Sequence, residues 1–81
     1  MKFTKLEIPD VILIEPLVYD DDRGYFTETY KQNELDEFLG RSLNFCQENE
    51  TKSSYGVLRG LHYQLNPHAQ TKLVRVTQGA V

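Results

Sequence analysis

VILIEPLVYDDDRGYFTETY, residues 11–30, reads as strand, turn, strand. Val11 to Tyr19 is rich in β-branched and large apolar residues, which suit a pleated, half-buried surface. Pro16 lacks the N–H that a ladder needs, so it marks an edge or a bulge in that strand. Asp20-Asp-Asp-Arg-Gly24 has turn composition, and Gly24 to Tyr30 alternates well enough for a half-buried strand. Beyond it, Asn33 is suited to cap a short helix in which Leu35, Phe38 and Leu39 share a face before Gly40 stops it. Leu43 to Asn49, Val57 to Gln64 and Lys72 to Gln78 are three more strand candidates, with Asn66-Pro67-His68 as a loop between the last two. Five strands against one helix predict a mostly β sandwich or barrel, with no internal repeat or linker.

With 81 residues the chain is one domain at most, and a domain of that size buries only about 60–65 % of its unfolded surface. Cys46 is alone, so no intrachain disulfide framework exists, and an inert thiol in the core is its expected place. The N-terminus carries acids and lacks an apolar h-region, and no run approaches the roughly 18 apolar residues of a membrane span. A soluble, cytoplasmic protein with no membrane partner is the expectation. Gln78-Gly79 has turn chemistry and Ala80-Val81 opens as a further strand, which would leave an uncovered edge. Residues 1–81 are therefore expected to be the N-terminal portion of a single longer domain, or a piece that completes its sheet with another chain. The alternative is a short domain with a frayed tail.

The net charge of −3 argues against a general nucleic-acid partner. Its distribution is more telling. In residues 1–50 five cations face all 12 acids and leave −7, whereas residues 51–81 hold Lys52, Arg59, Lys72 and Arg75 without an acid and carry +4. Such a cationic segment suits a small anion such as a phosphorylated metabolite, or else it lies solvated on an outer face paired with the acidic half.

Within that segment, residues 56–64 (GVLRGLHYQ) set an Arg and a His among apolar neighbours. His62 has the side chain for proton exchange near neutrality, with an unperturbed pKa of about 6.5, although a satisfied core histidine has the same local sequence. Arg59 precedes it by three positions, Lys72 begins the next strand candidate, and Gln47 and Asn49 lie on the one before. A strand period of two puts Arg59 and His62 on opposite faces. One cavity can take both only if the register breaks between them, and Gly60 is the natural site of such a β-bulge. Without it, Arg59 belongs to a salt bridge on the outer face.

Three blocks resemble the dTDP-4-dehydrorhamnose 3,5-epimerase family, in order and over essentially the whole chain from about residue 8. They are Asp22-Arg-Gly-Tyr-Phe-Thr-Glu28, Phe45-Cys-Gln-Glu-Asn49, and Ser53-Ser-Tyr-Gly-Val-Leu-Arg-Gly-Leu-His-Tyr-Gln64 running on to Gln70-Thr-Lys-Leu-Val-Arg-Val-Thr-Gln-Gly79. The resemblance implies a cupin-type jelly roll, the double-stranded β-helix, of which this chain is the N-terminal part with one short helix. It further implies epimerisation at C3 and C5 of a 4-keto-6-deoxyhexose carried on dTDP, in dTDP-L-rhamnose-type deoxysugar biosynthesis, with no cofactor and no metal. Metal-binding cupins place two His separated by one residue after a Gly, then a Glu before a closing Gly. Here His62 stands in the first His position, Gln64 in the second, and Lys72 where the carboxylate would precede Gly79. A cation does not ligate a metal, so the pattern has changed from holding a metal to holding negative charge. His68, in its Pro-containing loop, is expected at the surface.

By the same resemblance His62 is the catalytic base and Lys72 the oxyanion stabiliser with Arg59 beside it. Arg23, Glu28, Gln47, Glu48 and Asn49 match contacts to the sugar nucleotide. The Arg23 and Glu28 positions reach the partner subunit's site in the family, which implies a homodimer; from sequence alone they are an exposed turn and a strand-edge carboxylate. The family's proton-donating Tyr and the Asp that orients the His match no residue of this chain, so the 81 residues alone are expected to be inactive. Glu50-Thr51 stands where the family commonly has His-Ser, so no substrate contact is carried over there. The alternatives are a non-catalytic cupin-like module that binds an anionic sugar nucleotide, and a related 3-epimerase, 5-epimerase or ketoisomerase.

Overall fold

Proline decides how the apolar run 11–19 is used. Pro16 cannot donate to a ladder, and in the computed structural model, which describes residues 1–81, the run is two strands, not one strand with a bulge. Strand β2 (Ile12–Glu15) ends just before Pro16, and β3 (Val18–Asp21) starts just after Leu17. Each takes a different partner. β2 pairs antiparallel with β1 (Lys2–Lys5), and β3 pairs antiparallel with β4 (Gly24–Thr27), giving two separate two-stranded sheets. β1 is absent from the expectations above, and β4 stops at Thr27, short of the expected Tyr30.

The chain divides into two units, residues 1–49 and 50–81. In the first, Ile12 and Ile14 alternate with exposed Leu13 and Glu15, so β2 has an inner and an outer face. Phe3 lies opposite Ile14 in the β1–β2 register and stacks on Phe38, with ring centroids 4.9 Å apart. Lys2 and Glu15, the next pair in the register, form an exposed ion pair at 3.9 Å. Leu35, 5 % exposed, is the one buried hydrophobic residue, so the core is thin.

Leu35 and Phe38 belong to helix α1 (Gln32–Leu39), and Leu39 is half-buried with them, as the shared face predicts. Asn33 is not the cap. Lys31 holds that position with an extended backbone, and its carbonyl accepts the Leu35 N–H at 3.2 Å. Asn33 lies two residues inside, its side chain accepting only the next residue's N–H. The helix start follows from presenting Leu35 and Phe38 inward, and that packing outweighs the intrinsic preference of Asn for a cap. Gly40 does end the helix, at φ 70° and ψ 21°, with its N–H shared between the Asp36 and Glu37 carbonyls. A left-handed residue there is the common helix terminator because glycine has no Cβ to clash.

Leu43 to Asn49 is not a strand. Its first residue is already committed: Asp36 Oδ1 accepts the Leu43 N–H at 3.0 Å, and Gln32 Nε2 donates to the Leu43 carbonyl at 3.1 Å and to Asn44 Oδ1 at 3.2 Å. Helix side chains thus satisfy the groups a ladder would have used. Tyr30 meets Phe45 edge-on, at 5.6 Å between centroids. Cys46 is exposed, contrary to the expected core thiol, because no sheet takes this segment inside.

In the second unit Val57 to Gln64 and Lys72 to Gln78 form no strands either, and every residue of 50–81 is exposed. A strand exists only as a member of a ladder, and no segment of this unit offers another a matching row of N–H and C=O groups. Local signals do persist. The His68 N–H donates to the Leu65 carbonyl at 2.8 Å and closes a turn within the expected loop Asn66-Pro67-His68. No helix is long and apolar enough to cross a membrane.

Candidate functional site

Arg23 owes its position to the tightness of the β3–β4 hairpin. Asp21 pairs with Gly24 in the register, so only Asp22 and Arg23 make the loop. Neither loop residue has a positive φ, so the turn is not one of the primed types, and the chain turns left-handed one residue later, at Gly24, φ +131°. At the base, Thr27 Oγ1 donates to the Leu17 carbonyl at 2.6 Å, and the Tyr19 and Phe26 rings lie side by side across the strands.

At the tip one carboxylate holds Arg23 three ways. Asp21 Oδ1 accepts the Arg23 backbone N–H at 2.8 Å and Nε–H at 3.3 Å, while Oδ2 accepts Nη2–H at 2.6 Å. The guanidinium, and then the backbone N–H, hold the Asp21 carboxyl below the usual carboxylate range, and the same pairing raises Arg23. The Arg23 side chain is nonetheless 90 % exposed, so its remaining donors face solvent. Asp21 is not among the site residues expected from the sequence. Its signal is an acid two positions before the Arg across a two-residue loop.

Glu28 follows β4 directly and lines a shallow surface depression with Met1, Leu17, Tyr19 and Glu34. The Met1 ammonium lies 4.0 Å from Glu34, on the same depression. Of the block 47–49, Gln47 Nε2 donates to Asn49 Oδ1 at 3.1 Å, whereas Glu48 is exposed and engages no side chain. Two neighbouring amide side chains are thereby oriented together.

In the second unit the Lys72 ammonium donates to the backbone carbonyl of His62 at 3.5 Å. The two expected catalytic residues are therefore adjacent, and the His62 side chain remains exposed. Arg59 points its Nη2 to the Lys52 carbonyl at 3.3 Å, not to an acid, so neither the outer-face salt bridge nor a bulged ladder describes it. Gly60 does break the local direction of the chain, at φ +108°, but with no ladder there is no bulge. His68 sits in its exposed turn, as expected. Nowhere do three or more His, Cys, Asp or Glu gather in metal-binding fashion.

Chemically, the second unit brings the Lys72 ammonium to the backbone of the residue that carries an imidazole, two side-chain types suited to moving a proton and answering the charge left behind. The first unit sets a forked guanidinium at a hairpin tip, suited to a phosphate or carboxylate.

The family model described as dTDP-4-dehydrorhamnose 3,5-epimerase matches residues 5–81. A Pseudomonas aeruginosa protein named dTDP-4-dehydrorhamnose 3,5-epimerase is 56 % identical over 81 residues, all of this chain and 44 % of that protein. One of the same name from Shigella flexneri is 53 % identical over 81 residues, again all of this chain and 45 % of the relative. One from Methanothermobacter thermautotrophicus is 46 % identical over 80 residues, 99 % of this chain and 42 % of the relative. The chain spans under half the length of these relatives. With all but its first four residues inside the family match, and His62, Lys72 and the Asp21–Arg23 hairpin within it, this chain belongs to the dTDP-4-dehydrorhamnose 3,5-epimerase family.

Proposed function

We propose that the protein carrying this chain is an isomerase that inverts C3 and C5 of a dTDP-4-keto-6-deoxyhexose in deoxysugar biosynthesis. The observation that carries the reading is the family match over residues 5–81, which includes His62 and Lys72. Protons next to a ketone are weakly acidic, so the enzyme must supply a base and a positive group where the enolate oxygen forms. His62 takes the proton from carbon, and the bonding pair moves onto the ketone oxygen. Lys72 answers that charge. An ammonium has three N–H donors, and one of them on the His62 carbonyl leaves two for the oxyanion. Returning a proton to the opposite face of the same carbon inverts it, with no net consumption of acid or base. That proton comes from an acid outside these 81 residues, as does the carboxylate that orients His62.

In this reading Arg59 supports the anionic side of the site, and Arg23, Glu28, Gln47, Glu48 and Asn49 contact the sugar nucleotide. The finer fold is the cupin jelly roll, with residues 1–81 as the N-terminal portion of one domain in a cytoplasmic enzyme. Its ladder partners would turn 57–64 and 72–78 into strands. A homodimer, in which Arg23 and Glu28 serve the partner subunit's site, completes it. The site works without a metal, because Gln64 and Lys72 offer no carboxylate or imidazole where a cupin metal would need them.

The experiment is solvent deuterium exchange followed by NMR on the 4-keto sugar nucleotide. The intact protein should wash deuterium into C3 and C5, and His62→Ala should abolish this while leaving dTDP binding within about tenfold. Unchanged exchange in His62→Ala refutes the base assignment. Tight dTDP binding by the wild type with no exchange at either carbon replaces the enzyme by a binding module.

A further inference from the structure

We infer that Asp21 is the positioning residue of Arg23, locking its guanidinium to the hairpin so that the outer Nη1/Nη2 edge is presented to a phosphate of the nucleotide. This rests on the functional reading above, in which Arg23 contacts the sugar nucleotide. A guanidinium has five N–H donors. Asp21 takes the Nε–H and one Nη2–H side-on, at 3.3 and 2.6 Å. The three that remain are all on Nη1 and Nη2, and two of them form the parallel fork that matches an oxyanion.

The same carboxylate also accepts the Arg23 backbone N–H at 2.8 Å. Side chain and backbone of Arg23 are thus referred to one group, itself fixed by the Asp21–Gly24 pair at the end of the ladder. Neither Asp20 nor Asp22 shares in the arrangement. With the Arg23 side chain 90 % exposed, nothing else confines a long, rotamer-rich group.

Charge alone argues the other way, which makes the inference testable. Residues 20–23 hold three acids and one Arg, a net −2, so the tip repels an anion unless the contact is directional. If field strength governed binding, removing the Asp21 charge would tighten the complex. If orientation governs it, the same change weakens the complex.

Asp21→Asn separates the two, because the Asn oxygen still accepts the Arg23 backbone N–H and keeps the hairpin, while its NH2 group displaces Nη2. Calorimetry of dTDP binding to the intact protein should show Asp21→Asn weakened about three- to tenfold, the scale of ordering one long side chain. Arg23→Gln should be weakened at least as much, and the double variant should be no weaker than Arg23→Gln alone. Arg23→Lys keeps the charge and loses the fork, so it should lose affinity to a similar degree. Asp21→Asn that binds as well as or better than wild type overturns the inference, as does a penalty that persists in full in the Arg23→Gln background, or wild-type affinity in Arg23→Lys. Wild-type protein that binds no dTDP overturns the functional reading and this inference together. A wild type that binds and exchanges deuterium, with Arg23→Gln weakened and Asp21→Asn not, overturns this inference alone.

Discussion

Replacing Leu35 by Ala in the 81-residue chain should cost the first unit about 2–3 kcal/mol, a large share of what a unit of its size possesses. At 5 % exposure the side chain is nearly fully withdrawn from water. Deleting three carbons at about 0.8 kcal/mol each gives roughly 2.4 kcal/mol of lost transfer free energy. A cavity adds to this, and buried Leu→Ala changes reach about 5 kcal/mol in rigid cores. Here Phe3 and Phe38 are only half-buried and can collapse into the space, so the lower end applies. At about 0.05–0.15 kcal/mol per residue, a unit of residues 1–49 has roughly 2.5–7 kcal/mol in all. Urea unfolding followed by circular dichroism, with a slope near 1 kcal/mol/M, should show the midpoint falling by about 2 M. Leu61→Ala is the control, since Leu61 is 101 % exposed and its loss should be within about 0.5 kcal/mol. Equal shifts for the two variants would refute the reasoning, because they would require a packed second unit.

Gly40→Ala should destabilise α1 by about 1–2 kcal/mol, since an L residue at φ 70° is strained even though the space for its Cβ is open; a lower melting temperature and weaker 222 nm ellipticity check this. The Asp21 carboxyl should titrate below its ordinary 3.8 in a carbon-detected NMR titration and return toward it in Arg23→Gln. Because the folded value is the lower one, whatever stability the pair contributes is present above the unfolded carboxyl's pKa and lost as pH falls through the folded pKa. Epimerase activity of the intact protein should survive prolonged chelation, and stoichiometric zinc, iron or nickel by elemental analysis together with loss of turnover on chelation would contradict it.

Signals carried within a few residues were legible in the sequence. Gly40 ends the helix because only local backbone sterics are involved, and Leu35 and Phe38 share its inner face because 3.6 residues per turn puts them there. The loop at Asn66-Pro67-His68 and the reversal between Tyr19 and Tyr25 follow from turn chemistry in the same way, though the reversal is tighter than the expected turn Asp20–Gly24, with Asp20 and Asp21 taken into β3. The blocks around Arg23, Gln47 and His62 carried the family, since residue identity at fixed spacing needs no coordinates. Whatever depended on a distant partner was not legible. β1 is a strand because Phe3 meets Ile14, Leu43 is not because Asp36 and Gln32 take its backbone, and 57–64 is not because no ladder receives it. Alternation says that a segment can be a strand, but only a second row of backbone groups makes it one. Likewise residue types nominated His62 and Lys72, and the family resemblance Arg23, while the carboxylate that holds Arg23 and the carbonyl that holds Lys72 were decided by tertiary geometry, because a hydrogen bond is a matter of distance and direction rather than composition.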